Sequence, residues 1–142
     1  MTTYSFKDVN FTIKHSLVGQ KNLDGTGAGR IVVAFTDDNT DSDLGSDGNV
    51  MVDKIQSKRG TVTLEIQQTA SLNKWLTNCY NTVYNAATSY WAGITITVEE
   101  KYDNGINTTA TGCAFRKRPD RTDDQKGGRV TWEFMSANIT QS

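Results

Sequence analysis

Proline is almost missing from this chain: Pro119 is the only one in 142 residues. Long apolar runs are missing too. The longest, Ile31-Val32-Val33-Ala34-Phe35, is far too short for a membrane-spanning helix. The stretch Met1 to Asp8 has no basic region followed by an apolar one, so no signal peptide is expected there. Cys79 and Cys113 have 33 residues between them and no vicinal partners, which fits neither a disulfide framework nor a zinc pattern. A lone histidine, His15, cannot build a multi-histidine metal site. With 15 basic and 16 acidic side chains the net charge is −1, so the basic excess of a general nucleic-acid binder is lacking.

What is present points to strands. Twenty threonines favour extended backbone, while eleven asparagines and twelve glycines favour tight turns. The length suits one domain with a real core, and neither an internal repeat nor a linker divides residues 1–142.

The period of the apolar residues places the elements. A first strand is expected over Tyr4–Lys14, where a slip of phase near Lys7-Asp8 reads as a bulge or as two short strands. A turn-rich stretch, Gly19 to Gly29, precedes Ile31–Phe35, which is apolar on both faces and reads as a fully covered strand. Residues 36–49 offer nothing for a core and read as a long polar loop, of the kind that is often functional. Val50 and Val52 resume a short strand. Val62, Leu64 and Ile66 then alternate with Thr61, Thr63, Glu65 and Gln67, the clearest half-buried strand in the chain. Leu72, Trp75, Leu76, Cys79, Tyr80, Val83, Tyr84 and Ala87 form one helical apolar stripe, with Ser71 as the expected N-cap. The opposite face, Asn73, Lys74, Thr77, Asn78, Asn81, Thr82 and Asn85, is polar but nearly uncharged. Ile94, Ile96 and Val98 alternate next. A turn at Asp103-Asn104-Gly105 leads to Ile106–Phe115, and a charged loop from Arg116 to Arg129 precedes Val130, Trp132 and Phe134. The expected fold is mainly β, a sandwich or barrel of about seven strands with one amphipathic helix packed on it.

Chemistry-bearing patterns are weak. His15 beside Ser16 lacks a nucleophile-elbow sequence and reads as an ordinary strand-end histidine. Gly25-Thr26-Gly27-Ala28-Gly29 leads into a strand, whereas a dinucleotide loop must open a helix; a mobile hairpin is the better reading. Asp41-x-Asp43-x-Gly45-x-Asp47 mimics a calcium loop, but Val52 fills the position of the bidentate glutamate, so a solvated or partner-seeking loop is expected instead. Neither an enzyme, a cofactor nor a metal is expected.

Charge is distributed unevenly. Asp37, Asp38, Asp41, Asp43, Asp47 and Asp53 lie in a stretch with no Lys or Arg. Arg116, Lys117, Arg118, Arg121, Lys126 and Arg129 face only three aspartates in theirs, a net of +3. Two such patches suit a subunit that meets its neighbour head to tail, a geometry that makes rings or open stacks. The polar sides of the central strands, Thr61, Thr63, Glu65, Gln67, Thr95, Thr97 and Glu99, suit either open water or a wet channel.

The opening Tyr4-Ser5-Phe6-Lys7-Asp8-Val9-Asn10-Phe11-Thr12-Ile13 resembles the start of tail tube proteins of contractile-tailed bacteriophages and related contractile bacteriocin particles. So does the block from Lys58-Arg59-Gly60-Thr61 through Gln67-Gln68-Thr69-Ala70-Ser71-Leu72-Asn73, a strand followed by a helix. The resemblance implies a β-sandwich subunit in hexameric rings, stacked into a hollow tube within a virion tail or bacteriocin particle assembled in the host cytoplasm. It implies that the loop Asp37–Asp53 reaches an adjacent subunit or ring, that Thr61–Gln67 and Ile94–Tyr102 line the lumen, and that the helix Ser71–Ala87 faces the sheath or closes the sandwich. The glycine-rich hairpin Gly25–Gly29 takes no assigned place. The partners implied are the chain itself, the tail sheath protein, the tape-measure protein and the baseplate hub, with DNA only in transit and no stable membrane association. A DNA conduit should avoid cations that hold phosphate, and the Thr, Glu and Gln positions above satisfy that; Lys101 does not. Strand edges with one proline and few charges look open to pairing. The alternatives are another tail structural protein, of the completion or baseplate kind, and a carbohydrate-binding sandwich using Trp75, Trp91 or Trp132.

Overall fold

Val62, Leu64 and Ile66 can all be buried only if the strand lies flat on a core with its odd-numbered residues turned away. The structure, a computed structural model describing residues 5, 8–23, 28–123 and 125–142, arranges this strand and six others as one antiparallel sheet. In chain order the elements are β1 (Val9–His15), β2 (Gly19–Leu23), β3 (Ala28–Phe35), β4 (Thr40–Leu44), β5 (Val50–Lys54), β6 (Gly60–Gln67), α1 (Ser71–Asn85), β7 (Ile94–Glu100), β8 (Thr108–Lys117) and β9 (Arg129–Gln141). The sheet order is β2-β1-β7-β8-β9-β6-β3, and β4 pairs only with β5.

The sheet curls. Helix α1 contacts both β2, at one margin, and β6, next to the other. Every neighbouring pair is antiparallel, so with seven strands β2 and β3 run in the same direction. Five Cα steps from Leu23 to Ala28 span at most about 18 Å. One chain segment therefore serves both margins, and the sheet must bend round to bring them near each other. The inner face holds Phe11, Ile13, Val62, Leu64, Ile66, Ile94, Ile96, Trp132 and Phe134, closed by Leu72, Leu76, Cys79 and Val83 of α1. The sandwich-or-barrel expectation with one packed helix is realised as this curled sheet.

Gly112 supplies part of the curvature. Its φ is 62°. Ala110 and Cys113 are both buried although three residues apart, and the β7–β8 register slips between Ile94 and Ile96. The extra residue is absorbed in the left-handed conformation that glycine adopts at little cost. Gly112→Ala is expected to cost about 1–2 kcal/mol in chemical denaturation, because its Cβ would also sit 3.0 Å from that of Ala137.

Several boundaries differ from expectation. β1 begins at Val9; Tyr4, Phe6 and Lys7 lie outside the described residues, as do Gly25 to Gly27 of the expected mobile hairpin, while Ala28 and Gly29 open β3. Ile31–Phe35 is not fully covered. It forms the sheet margin, where Ile31, Val32 and Val33 are half-buried and Phe35 is 52% exposed. Ser71 is not the N-cap: Ala70 holds that place without a side-chain bond, and the Asn73 amide donates back to the Gln68 carbonyl at 3.1 Å. The apolar stripe stops at Val83, leaving Tyr84 and Ala87 exposed, and β7 ends at Glu100 rather than Tyr102.

The largest departure is the expected polar loop 36–49. It is a β-hairpin that prolongs the β3–β6 ribbon beyond the sheet. Thr36 N–H donates to the Arg59 carbonyl and Ile55 N–H to the Asn39 carbonyl, at 3.2 and 2.9 Å. β4 and β5 then pair from Thr40↔Lys54 to Leu44↔Val50. The turn closes on Asp47, whose carboxylate accepts from Asn49 N–H at 3.1 Å, and on Gly48 at φ 87°.

Candidate assembly surfaces

Cross-strand partners share a face, so register sorts the residues of the arm. Leu44, Val50 and Val52 lie on one side with Thr40, Ser42 and Lys54; Asp41, Asp43 and Asp53 lie on the other with Met51. None of the ten strand residues is buried, and Leu44, Val50 and Val52 are 70%, 60% and 68% exposed. Asp41 stands directly opposite Asp53, a like-charge pairing that works against an isolated hairpin. The six aspartates are thus not one patch. Three form the acidic face, Asp47 belongs to the turn, Asp38 stays exposed at the root, and Asp37 is pinned.

Asp37 locks the root of the arm. Its carboxylate accepts from Arg59 Nε at 2.6 Å, from Arg59 Nη2 at 3.0 Å and from Ser57 Oγ at 2.6 Å. The hydrogen bonds from Arg59 are the main cause holding its pKa down from 3.8 to about 2. A lowered pKa means that the pair stabilises the root fully above the usual carboxylate value and is lost as the pH falls towards 2. Asp37→Asn should mimic that loss at neutral pH: limited proteolysis within 36–59 accelerates severalfold while the global melting temperature stays put.

The basic segment is likewise divided. Arg116 pairs with Glu133 at 3.5 Å, Arg121 with Asp123 at 3.1 Å and Arg129 with Glu65 at 3.8 Å. Arg118 lies over the Tyr80 ring, 5.0 Å from its centroid. Lys117 and Lys126 are exposed. Tyr80 also stacks on Tyr84 at 5.7 Å, and Trp91 meets both edge-on at 6.1 and 6.3 Å.

Thr61, Thr63, Glu65, Gln67, Thr95, Thr97 and Glu99 all lie on the side of the sheet away from the helix. Register adds residues that the sequence did not place there: Thr12, Thr109 and Thr131, but also Arg30 opposite Glu65 and Lys14 opposite Thr95. This outward face is a threonine carpet whose charges are mixed rather than acidic. Lys101 falls beyond β7, where its N–H donates to the Asp8 carbonyl at 2.8 Å.

Other candidates are accounted for by packing. His15 is buried, accepting at Nδ1 from Leu17 N–H at 3.0 Å and donating from Nε2 to the Tyr90 carbonyl at 2.8 Å. Both ring nitrogens are used in joining the β1–β2 turn to the segment before β7. Trp132 is buried, and Trp75 and Trp91 are partly buried against the core.

A tail tube family model matches residues 1–142, the whole chain. The chain belongs to the bacteriophage PhiTE tail tube protein family. Three solved structures share its fold. A chain of the anti-feeding prophage (AFP) baseplate superposes with a TM-score of 0.66 at 11% identity, covering 100% of this chain and 97% of the other. A chain of the PVC extracellular contractile injection system, from its sheath/tube terminator in the extended state, gives 0.59 at 12% identity over 93% and 92%. One from the PVC sheath-tube complex in the extended state gives 0.56 at 11% over 93% and 87%. No curated protein matches the chain in sequence. In this tail tube family member, Leu44, Val50, Met51 and Val52 are surface residues that periodicity alone had not marked; the Asp47-Gly48 dipeptide was the available sign of a hairpin.

Proposed function

We propose that this tail tube family protein is the repeating subunit of a hollow tube built of stacked hexameric rings, a structural element of a contractile injection particle rather than an enzyme. The observation that carries this is the arm: ten strand residues, every one exposed, tied at the root by the hydrogen bonds of Asp37, Asn39 and Arg59. An isolated hairpin is marginal in water and its exposed aliphatic side chains serve nothing in a monomer. The sheet margins support the same reading, since among the described strands β2 pairs only with β1 and β3 only with β6. The threonine carpet would line the lumen. Its charges are few and mixed, with Glu65 paired to Arg129, so it would hold DNA phosphate less firmly than a basic surface, as a conduit through which DNA passes requires. The outer surface would meet the sheath, the ends of the tube the baseplate hub, and the lumen the tape-measure protein, within a virion tail or bacteriocin particle assembled in the bacterial cytoplasm. A second reading, a baseplate or completion subunit, is favoured by the AFP baseplate likeness. Electron microscopy and sedimentation of the purified chain test the first: rings and long tubes are expected, and a protein that stays monomeric when concentrated would overturn it. Copy number per particle separates the two roles, because a tube subunit must be abundant.

A further inference from the structure

We infer that His15 is an acid-opened latch: its neutral ring ties the β1–β2 turn to the segment leading into β7, and taking up one proton unties them. The inference concerns the folded chain itself and stands whether or not the chain builds a tube.

The latch joins two segments that are distant along the chain. His15 ends β1 and is only 3% exposed. Its Nδ1 accepts from Leu17 N–H, in the turn that carries the chain into β2, at 3.0 Å. Its Nε2 donates to the Tyr90 carbonyl at 2.8 Å, 75 positions away. That carbonyl also accepts from Gly93 N–H at 3.3 Å. The ring comes this close because position 93 has no side chain: a Cβ there would stand 3.0 Å from Nε2 and 3.3 Å from the Tyr90 oxygen. Among the described strands β2 pairs only with β1, so this bond is one of the few that fasten the β1–β2 turn to another part of the sheet.

This arrangement admits one protonation state. A neutral imidazole with its proton on Nε2 has one donor and one acceptor, and both are used. An imidazolium carries a proton on each nitrogen, so Nδ1–H would point at Leu17 N–H, donor against donor. A buried N–H without an acceptor and a buried charge without a partner both cost free energy. The surroundings do not offset that cost. The titratable side chains facing the ring are Lys14 at the end of β1, Lys21 in β2 and the Tyr90 phenol. Ser16, Gln20 and Thr95 complete the groove beside it, and no carboxylate lines that groove. Two lysines oppose the arrival of a further positive charge. The closed latch therefore excludes a proton that the opened chain accepts. The tie is fully present at neutral pH and is lost as the pH falls through the range in which histidine ordinarily gains its charge.

The test is clean because the chain has one histidine, and histidine is the side chain that ordinarily changes charge between about pH 5 and 8. Hydrogen exchange of the full-length chain is followed amide by amide by NMR and corrected for the intrinsic pH dependence of exchange. Protection of the Leu17 and Gly93 amides is expected to fall by up to about tenfold per pH unit below neutrality, the slope for one proton taken up on opening. Amides of β6 and β9 keep theirs. His15→Asn retains an oxygen that can accept from Leu17 N–H, as in an Asx turn, but does not titrate. Its Leu17 and Gly93 protection is expected to be lower than the parent's at neutral pH and flat as the pH falls. Should this variant fail to fold, the ring nitrogen shifts of the parent decide. They should report the Nε2–H tautomer at neutral pH and a second proton gained only as Leu17 loses protection. Flat protection in the parent, the same fall in His15→Asn, or an imidazolium formed while Leu17 N–H stays protected would each overturn the latch.

Discussion

A chain whose residues 40–54 are replaced by a two-residue Asn-Gly turn is expected to fold normally and to lose tube growth altogether. The cut is clean because the root closes on itself. Asn39 and Ile55 exchange a backbone bond, and the Asn39 amide donates to the Ile55 and Ser57 carbonyls at 2.9 and 3.0 Å. That geometry leaves two antiparallel ends that a short turn can join. Nothing in β4 or β5 reaches the core, so stability should change by no more than about 0.5 kcal/mol, as for surface substitutions generally. Circular dichroism melting and sedimentation velocity read the two properties separately. A deletion that unfolds the protein would mean the arm belongs to the folding unit. Undiminished polymerisation would take it out of the interface.

Trp132→Ala should have the opposite profile, with stability lost throughout the domain. Trp132 is fully buried and meets Phe115 at 5.7 Å between ring centroids. Its indole N–H donates to the Asn73 side-chain oxygen of α1 at 3.1 Å. It therefore fills the core and fastens the helix to β9 at once. Truncation to alanine is expected to cost about 3–5 kcal/mol from lost burial plus the cavity left behind. Trp132→Phe keeps most of the volume but leaves the Asn73 oxygen without its donor, for about 1–3 kcal/mol. Urea denaturation of the two variants measures both, and an alanine variant within 1 kcal/mol of the parent would mean that α1 is not held by this contact.

Residues that choose their surroundings by their own chemistry were legible in advance. Val62, Leu64 and Ile66 leave water on one side of a strand whatever lies next to it, so alternation alone predicts their burial; Leu72, Leu76, Cys79 and Val83 do the same at helical spacing. Asn104 takes a positive φ of 62° in the turn where the sequence placed it. Ile31 to Phe35 were misjudged for the converse reason. Their apolar character is compatible with a covered strand or with a margin waiting for a partner, and only the sheet order tells which.

Candidate surfaces were legible as composition but not as arrangement. Six aspartates in a run without a cation announce an acidic segment. Which of them stand together depends on a register set by the turn at Asp47-Gly48 and by the root at Asn39. Arg129 and Glu65 were assigned to different surfaces because 64 positions separate them in the chain, yet β6–β9 pairing brings them to 3.8 Å. Val50, Met51 and Val52 look like an ordinary strand, and their exposure follows from β4–β5 having no layer beneath it.

The amino-acid sequence by itself determined the strand and helix periods and the uneven charge, because these follow from side-chain chemistry and local backbone preference. Tertiary structure alone decided the curl of the sheet and the two-faced arm. Those depend on which strands pair and in what register, and that is settled by contacts between residues far apart along the chain.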